Sequence, residues 1–413
     1  MVVTIVVLLI LAGVSISLVV DKNGIIQKSK DARREYGQAK ANEQEDLSNL
    51  SDMIDEATGK VAKINVNTKA SKNGTINGEA GDSNNPTIPK GYIPIDTATS
   101  TWGDGSIAPS QDSVKHGLVI KDEKNNEWVW VPVDSATLAT MYEESSDEKT
   151  LCGTTGETAV KTKLYSKSEI ISGKTRTTPG TTSSYREPDL VIGSGTSYDA
   201  KEEYYKDILG FESKEKMAEA FVSDYNEMLT SIEKYGGFYI GRYELSEAGV
   251  QKDKETLVYT NWYNLYKKCK ELNASDKVET RMIWGCQWDV TMNWLISSGA
   301  KTSNEVNKDS SSWGNYNNKL NTGKTTFTMA NNIYDLAGNC FEWTQEAYYT
   351  NSRALRGGVF GSNGSTYPAS YRGGGNPDSS VLDFRRFSSH FNNKVILDTR
   401  AWVSVWRIII KWT

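Results

Sequence analysis

Residues Asn331–Arg372 read NNIYDLAGNCFEWTQEAYYTNSRALRGGVFGSNGSTYPASYR. Four short motifs stand in a fixed order there: Tyr334-Asp-Leu-Ala-Gly-Asn339, then Glu342-Trp343-Thr344, then Arg356-Gly357-Gly358, then Tyr371-Arg372. After Gly358 the chain is rich in Gly, Ser, Asn, Thr and Tyr and holds no cysteine. The ends of the segment are framework-like, and its middle is made of small and polar residues.

That order of motifs resembles the signature of the formylglycine-generating-enzyme, or sulfatase-modifying-factor, family. The resemblance covers residues 92–385, interrupted by an insertion. It implies an α+β fold, C-type-lectin-like and loop-rich, found both in oxidative enzymes and in non-catalytic binding proteins. The enzymes carry paired cysteines after Arg-Gly-Gly. Here those positions fall near Ser362 and Tyr367 or Pro368, so the soft thiolate ligands that copper(I) prefers are missing and no copper is expected. The family also holds a structural calcium ion. Carried over, its ligands are Asp335, the carbonyls of Gly338 and Cys340, and Glu342, which suits an ion that accepts carboxylate and backbone oxygens together. The residues themselves equally fit internal hydrogen bonding by Asn339 and Glu342 in an irregular loop.

The segment after Gly358 further resembles the C-terminal variable region of proteins diversified by retroelements, whose mutagenesis of adenines often starts from Asn codons. The resemblance implies exposed, ligand-facing positions at Val359, Phe360, Ser362, Asn363, Ser365, Thr366, Gly373, Gly374, Gly375 and Ser379. Gly357, Gly358, Pro368, Tyr371 and Arg372 would fix the backbone. An ordinary glycine-rich surface loop is the alternative.

The rest of the chain narrows the function classes. Its 413 residues include 12 Trp and 21 Tyr, residues that serve both as core and as rigid binding anchors. Net charge is −5 with the signs interspersed, so no footprint for nucleic acid is seen. His116 and His390 lie in unrelated contexts, which leaves a histidine-centred metal site or a Ser-His-Asp triad without support. Cys152, Cys269, Cys286 and Cys340 form no CxxC pair. They read as buried thiols or, in an exported chain, as disulfide partners.

Val2–Val20 carries no charged side chain, and about 20 apolar residues span a bilayer core of about 30 Å. From Ile25 to Ile54 the pattern is amphipathic near a 3.6 period. Residues 1–58 therefore read as a membrane helix with a stalk. They resemble the spine of type IV pilin-like proteins, without that family's leader or its Glu at the fifth mature position, so Met1 is taken as an internal start. Residues 59–90 are too polar to fold alone and read as a flexible linker. Residues 91–413 form the large domain.

Within that domain, 117–122 and 127–133 read as strands joined by Glu123–Asn126. Gly236–Glu244 resembles a family strand, and Arg281–Asp289 occupies a family motif followed by a helix at Val290–Ser297. Between them, 134–235 is an insertion read as a surface elaboration closed by a helix at Ser213–Lys234. That helix puts Met217, Ala220, Phe221, Tyr225, Met228 and Ile232 on one face. Asp383-Phe384-Arg385 would match the usual close of the family, yet Arg400–Thr413 follows with strand-like alternation.

The expectation is a non-catalytic, surface-displayed receptor or adhesin, anchored in the cell membrane with its C-terminal domain extracellular. Its ligand would be a protein or glycan. The rival classes are a minor pilin-like structural subunit in a pilus-like assembly, and an enzyme on the sulfatase-modifying-factor fold.

Overall fold

Branched and aromatic residues alternate in Glu127-Trp-Val-Trp-Val-Pro132, and around this strand the larger sheet forms. The computed structural model describes residues 68–69, 82–89, 91–95, 116–151, 154, 156–166, 186–192, 199–272, 278–378, 391–392 and 395–399. All belong to one unit, Asn67–Thr413. In chain order the strands begin with β1 (Thr68–Lys69), β2 (Thr87–Ile88), β3 (Ile93–Pro94), β4 (Val119–Lys121) and β5 (Glu127–Pro132). Helix α1 (Ser135–Met141) starts where the Asp134 carboxylate accepts from the Thr137 amide at 2.7 Å, a side-chain N-cap. Strands β6 (Tyr142–Thr150) and β7 (Lys161–Ser166) pair as a separate ribbon.

Then come α2 (Lys214–Tyr235), β8 (Gly237–Gly241), α3 (Trp262–Glu271), β9 (Val278–Met282), α4 (Gly285–Ser297) and the short α5 (Ser303–Asn307). Strands β10 (Phe341–Tyr349), β11 (Ser352–Arg356), β12 (Arg372–Gly375), β13 (Phe391–Asn392) and β14 (Val395–Thr399) follow. One sheet has the order β3-β4-β5-β8-β14-β9 and is antiparallel throughout; the other has the order β12-β11-β10-β13. The architecture is α+β.

The strands expected at 117–122, 127–133 and 236–244 are β4, β5 and β8, with Val129 opposite Val119 and Ile240. Helix α2 matches its periodicity. Ser213 caps it by accepting from the Lys216 amide, and Met217, Phe221, Tyr225, Met228 and Ile232 are buried while Ala220 is half-buried.

Four expectations change. The helix placed at Val290 begins at Gly285, because the Gln287 side chain accepts from the Trp284 amide at 3.1 Å and closes an earlier first turn. The insertion is no surface elaboration. Tyr225, Met228, Leu229 and Ile232 join Val129, Val131, Trp284 and Trp288 in the main apolar core, and Tyr225 meets Trp284 edge-on at 5.0 Å. Asp224 on the same helix pairs with Arg281 at 3.1 Å and Lys270 at 2.5 Å. Earlier in the insertion, Asp199 pairs with the fully buried Arg353.

The linker also ends earlier than expected. Pro86–Pro89 is buried, and the Thr87 carbonyl accepts from the Tyr239 hydroxyl at 2.9 Å. Finally, β14, from the chain beyond Arg385, stands between β8 and β9. Asp383–Arg385, Arg400–Thr413, His390, Cys152 and the apolar Val2–Val20 lie outside the described residues. Among those described, no helix is long and apolar enough to cross a membrane.

Candidate functional site

The loop that precedes β10 is built inward. Asn331, Asn332, Asp335 and Asn339 all adopt left-handed backbone (φ +46 to +64°), a conformation that Asn and Asp tolerate better than other side chains. Asn339 is fully buried and closes the loop with both ends of its amide. Its oxygen accepts from Asn315 Nδ2 at 3.0 Å and the Leu320 amide at 2.9 Å; its nitrogen donates to Glu244 and to the Leu320 carbonyl. Glu244 also accepts from the Cys340 amide at 3.2 Å and from Thr256 at 3.2 Å. Asn339 therefore takes the internal hydrogen-bonding role, with Glu244 as a partner that the sequence did not single out.

Of the implied calcium ligands, Asp335 accepts from the Gly323 amide at 2.9 Å. Glu342 lies fully buried beside Gly357, where a Cβ would stand 2.6 Å from its carboxylate. Gly357 also has φ +68°, so space and backbone both require glycine there. Burial, with Glu244, Glu342 and Asp335 nearby, pushes the Cys340 thiol well above its usual range. Among the described residues no three His, Cys, Asp or Glu side chains come together in a group that could hold a metal ion. Asp335 Oδ2 is engaged by the Gly323 amide, and the loop is closed by Asn339 and Glu244.

The next loop is built outward. Its backbone is pinned from beneath: the Phe360 amide donates to the Asn339 carbonyl at 3.0 Å, Gly361 to Tyr316 at 2.9 Å, and Gly364 to Ser311 Oγ at 3.1 Å. The Gly364 carbonyl accepts from the Ser310 amide, and the Tyr367 carbonyl accepts from the Tyr316 hydroxyl at 2.7 Å. At the apex Asn363 Oδ1 accepts from the Thr366 amide and the Ser365 hydroxyl, both at 2.8 Å. Asn363, Ser365 and Thr366 are exposed; Phe360 and Ser362 are half-buried. Pro368 is buried, and Tyr367 packs edge-on against Phe341 at 5.2 Å and against Tyr371 at 4.8 Å.

Four of the implied ligand-facing positions lie elsewhere than in an exposed loop. Val359 is 4% exposed and belongs to the packed base of the loop. Gly373, Gly374 and Gly375 are not loop but strand β12, paired along its length with β11. Gly373 is buried, and a Cβ on Gly375 would stand 2.6 Å from the Trp343 ring, so these glycines make room for aromatic neighbours. Of the three, Gly374 alone is exposed. Ser379 lies outside the described residues.

The structure instead brings Tyr348, at the end of β10, to Gly374, with the Arg372 guanidinium 4.5 Å over its ring. Arg372 Nε donates to Glu346 at 2.8 Å. Only the pairing of β10, β11 and β12 makes Tyr348 and Arg372 neighbours, and a run of three glycines gives no strand signal. Cys269, Cys286 and Cys340 are buried. His116 is exposed.

No family model and no curated protein matches the chain. Among solved structures, variable protein 1 of Treponema denticola aligns at 13% identity over 67% of this chain and 96% of that one, with a TM-score of 0.23, a score from which nothing about fold or function follows.

Proposed function

We propose that the chain is a non-catalytic ligand-binding protein whose domain is a formylglycine-generating-enzyme-like, C-type-lectin-like frame. Specificity lies in the Phe360–Tyr367 loop, at Phe360, Ser362, Asn363, Ser365 and Thr366. One observation carries this: the loop's backbone is tied down by Asn339, Ser310, Ser311 and Tyr316 while its polar side chains point away from the frame. Fixed backbone with replaceable side chains keeps the ordering cost of binding low. Phe360 supplies the apolar anchor, and Ser, Asn and Thr supply adaptable hydrogen bonds.

Replacing Phe360 by Ala weakens ligand binding by about 1–3 kcal/mol, the range for an interface anchor, with little change in melting temperature. A variant that unfolds, or one that binds unchanged, contradicts the assignment. Because the thiol pair is missing, the purified chain converts no sulfatase-type cysteine peptide, with or without copper; turnover of such a peptide would restore the enzyme alternative. Calcium is not required for the loop's shape, so a chelator leaves the melting temperature unchanged, whereas a calcium-dependent rise would reinstate Asp335, Gly338, Cys340 and Glu342 as ligands. Display at the surface through Val2–Val20 is part of the same proposal. Full-length protein that partitions into the aqueous phase without detergent would remove it, and would remove a pilus-like assembly with it.

A further inference from the structure

The loop does not end in bare surface. Tyr367 meets Tyr371 at 4.8 Å, with Phe341 behind both rings. The Tyr371 hydroxyl lies over Gly373, and the Tyr348 ring lies over Gly374 where side chains would otherwise stand. Burial, with the Tyr367 and Tyr348 phenols nearby, pushes Tyr371 up to about 12. The Arg372 guanidinium stands 4.5 Å from the centre of the Tyr348 ring. Tyr348 is 36% exposed, Gly374 is exposed, and Tyr367, Tyr371 and Arg372 are half-buried. Tyr371 lies on one face of β12 and Tyr348 on the other, and their phenols come near each other at the open edge of that strand.

We infer that this ledge of Tyr371, Arg372, Gly374 and Tyr348 is the fixed half of the ligand surface, and that the surface takes a folded protein partner. The inference rests on the loop being a binding loop and adds to it the framework beside it. Three features point to a protein. Tyr and Arg are the side chains that dominate protein interfaces, and flanking Ser, Asn, Gly and Thr complete the composition of an antibody-like paratope. The rings are held in place by glycine seats and by one another, so they lose little rotamer freedom on binding. The charge of Arg372 is offset by the buried Glu346 carboxylate, which leaves the ledge neutral and poorly suited to phosphate-rich ligands. The loop would then set which protein is bound, and the ledge would supply affinity common to every loop sequence.

The test uses the full chain and two probes: a displayed library of small folded protein domains, and a panel of neutral methyl glycosides. Independently selected domains are expected to lose at least about tenfold in affinity against Tyr348→Ala, as for an interface anchor. They should bind Tyr348→Phe and the exposed-aromatic control Phe327→Ala nearly as well as the parent. As a second measurement, Tyr348 is expected to be protected from iodination in each complex, which needs no substitution. Domains that ignore Tyr348→Ala and leave Tyr348 open to iodination overturn the ledge. Glycosides that bind in a Tyr348-dependent way, with no domain doing so, overturn the partner class. Loss with Tyr348→Ala but none with Asn363→Ala/Thr366→Ala would keep the ledge and sink the loop as the specificity element.

Discussion

Two loops in this domain, 331–340 and 360–367, both carry Asn and Gly and have opposite constructions. The first holds three Asn and one Gly, the second one Asn and two Gly, and they touch where the Phe360 amide donates to the Asn339 carbonyl. In the first, side chains turn inward: Asn339 and Glu244 satisfy each other and the surrounding backbone, and Asp335 takes the Gly323 amide. In the second, the backbone is anchored inward, and the side chains of Asn363, Ser365 and Thr366 are exposed, with Asn363 closing the apex on its own loop. Polarity alone therefore does not distinguish a binding loop from a structural one. Which atoms carry the anchoring hydrogen bonds does, because a buried amide is costly to remove while an exposed one is nearly free to change.

The contrast can be broken at several strengths. Trp343 is fully buried beside both loops' frame, at the start of β10, so Trp343→Ala is expected to cost about 3–5 kcal/mol in denaturant unfolding. Asp224→Asn takes the buried carboxylate from Arg281 and Lys270, which keep Glu279, and is expected to cost about 1.5–3 kcal/mol at neutral pH. Burial pushes the Asp224 carboxyl up, but Arg281, Lys270 and the Gln345 amide outweigh it and hold it below 3.8. Its contribution is thus present above that value and is lost as pH falls through the folded-state value. Wild type should lose stability in that acid range, and Asp224→Asn should lack that part of the slope; parallel slopes would show that the pair does not titrate with folding. Asn339→Ala is expected to cost about 1–3 kcal/mol, for the partners left unsatisfied. Asn363→Ala is expected to stay within about 0.5 kcal/mol of wild type, and a larger loss would mean that the outward loop is structural too.

Much of the frame was legible in the sequence because its signals are local. Glu127–Pro132 alternates, Ser213 caps a 3.6-period apolar stripe, and Tyr334–Asn339 carries its turn residues in order. What was missed depends on residues far apart in the chain. The insertion looked like surface because Ser, Thr, Gly and Lys dominate it, yet Asp199 is buried against Arg353, more than a hundred and fifty positions away. Strand β14 follows the segment that looked like the close of the domain, and a strand's place in a sheet is set by pairing rather than by its own residues. At the site, Asn363 and Thr366 could be read as exposed, but Gly373–Gly375 imitated a loop. Val359 carries no local sign of burial, and Tyr348 becomes part of the surface only through its seat on Gly374.

The most direct test is to randomise two sets of positions separately and score folding by melting temperature: Ser362, Asn363, Ser365 and Thr366 in one library, and Asn331, Asn332, Asp335 and Asn339 in the other. Most members of the first library are expected to melt within a few degrees of the parent, since surface substitutions usually stay within about 0.5 kcal/mol. Most of the second are expected to unfold. If both libraries collapse, or if the second survives better than the first, the division into a variable binding loop and a fixed structural one is wrong.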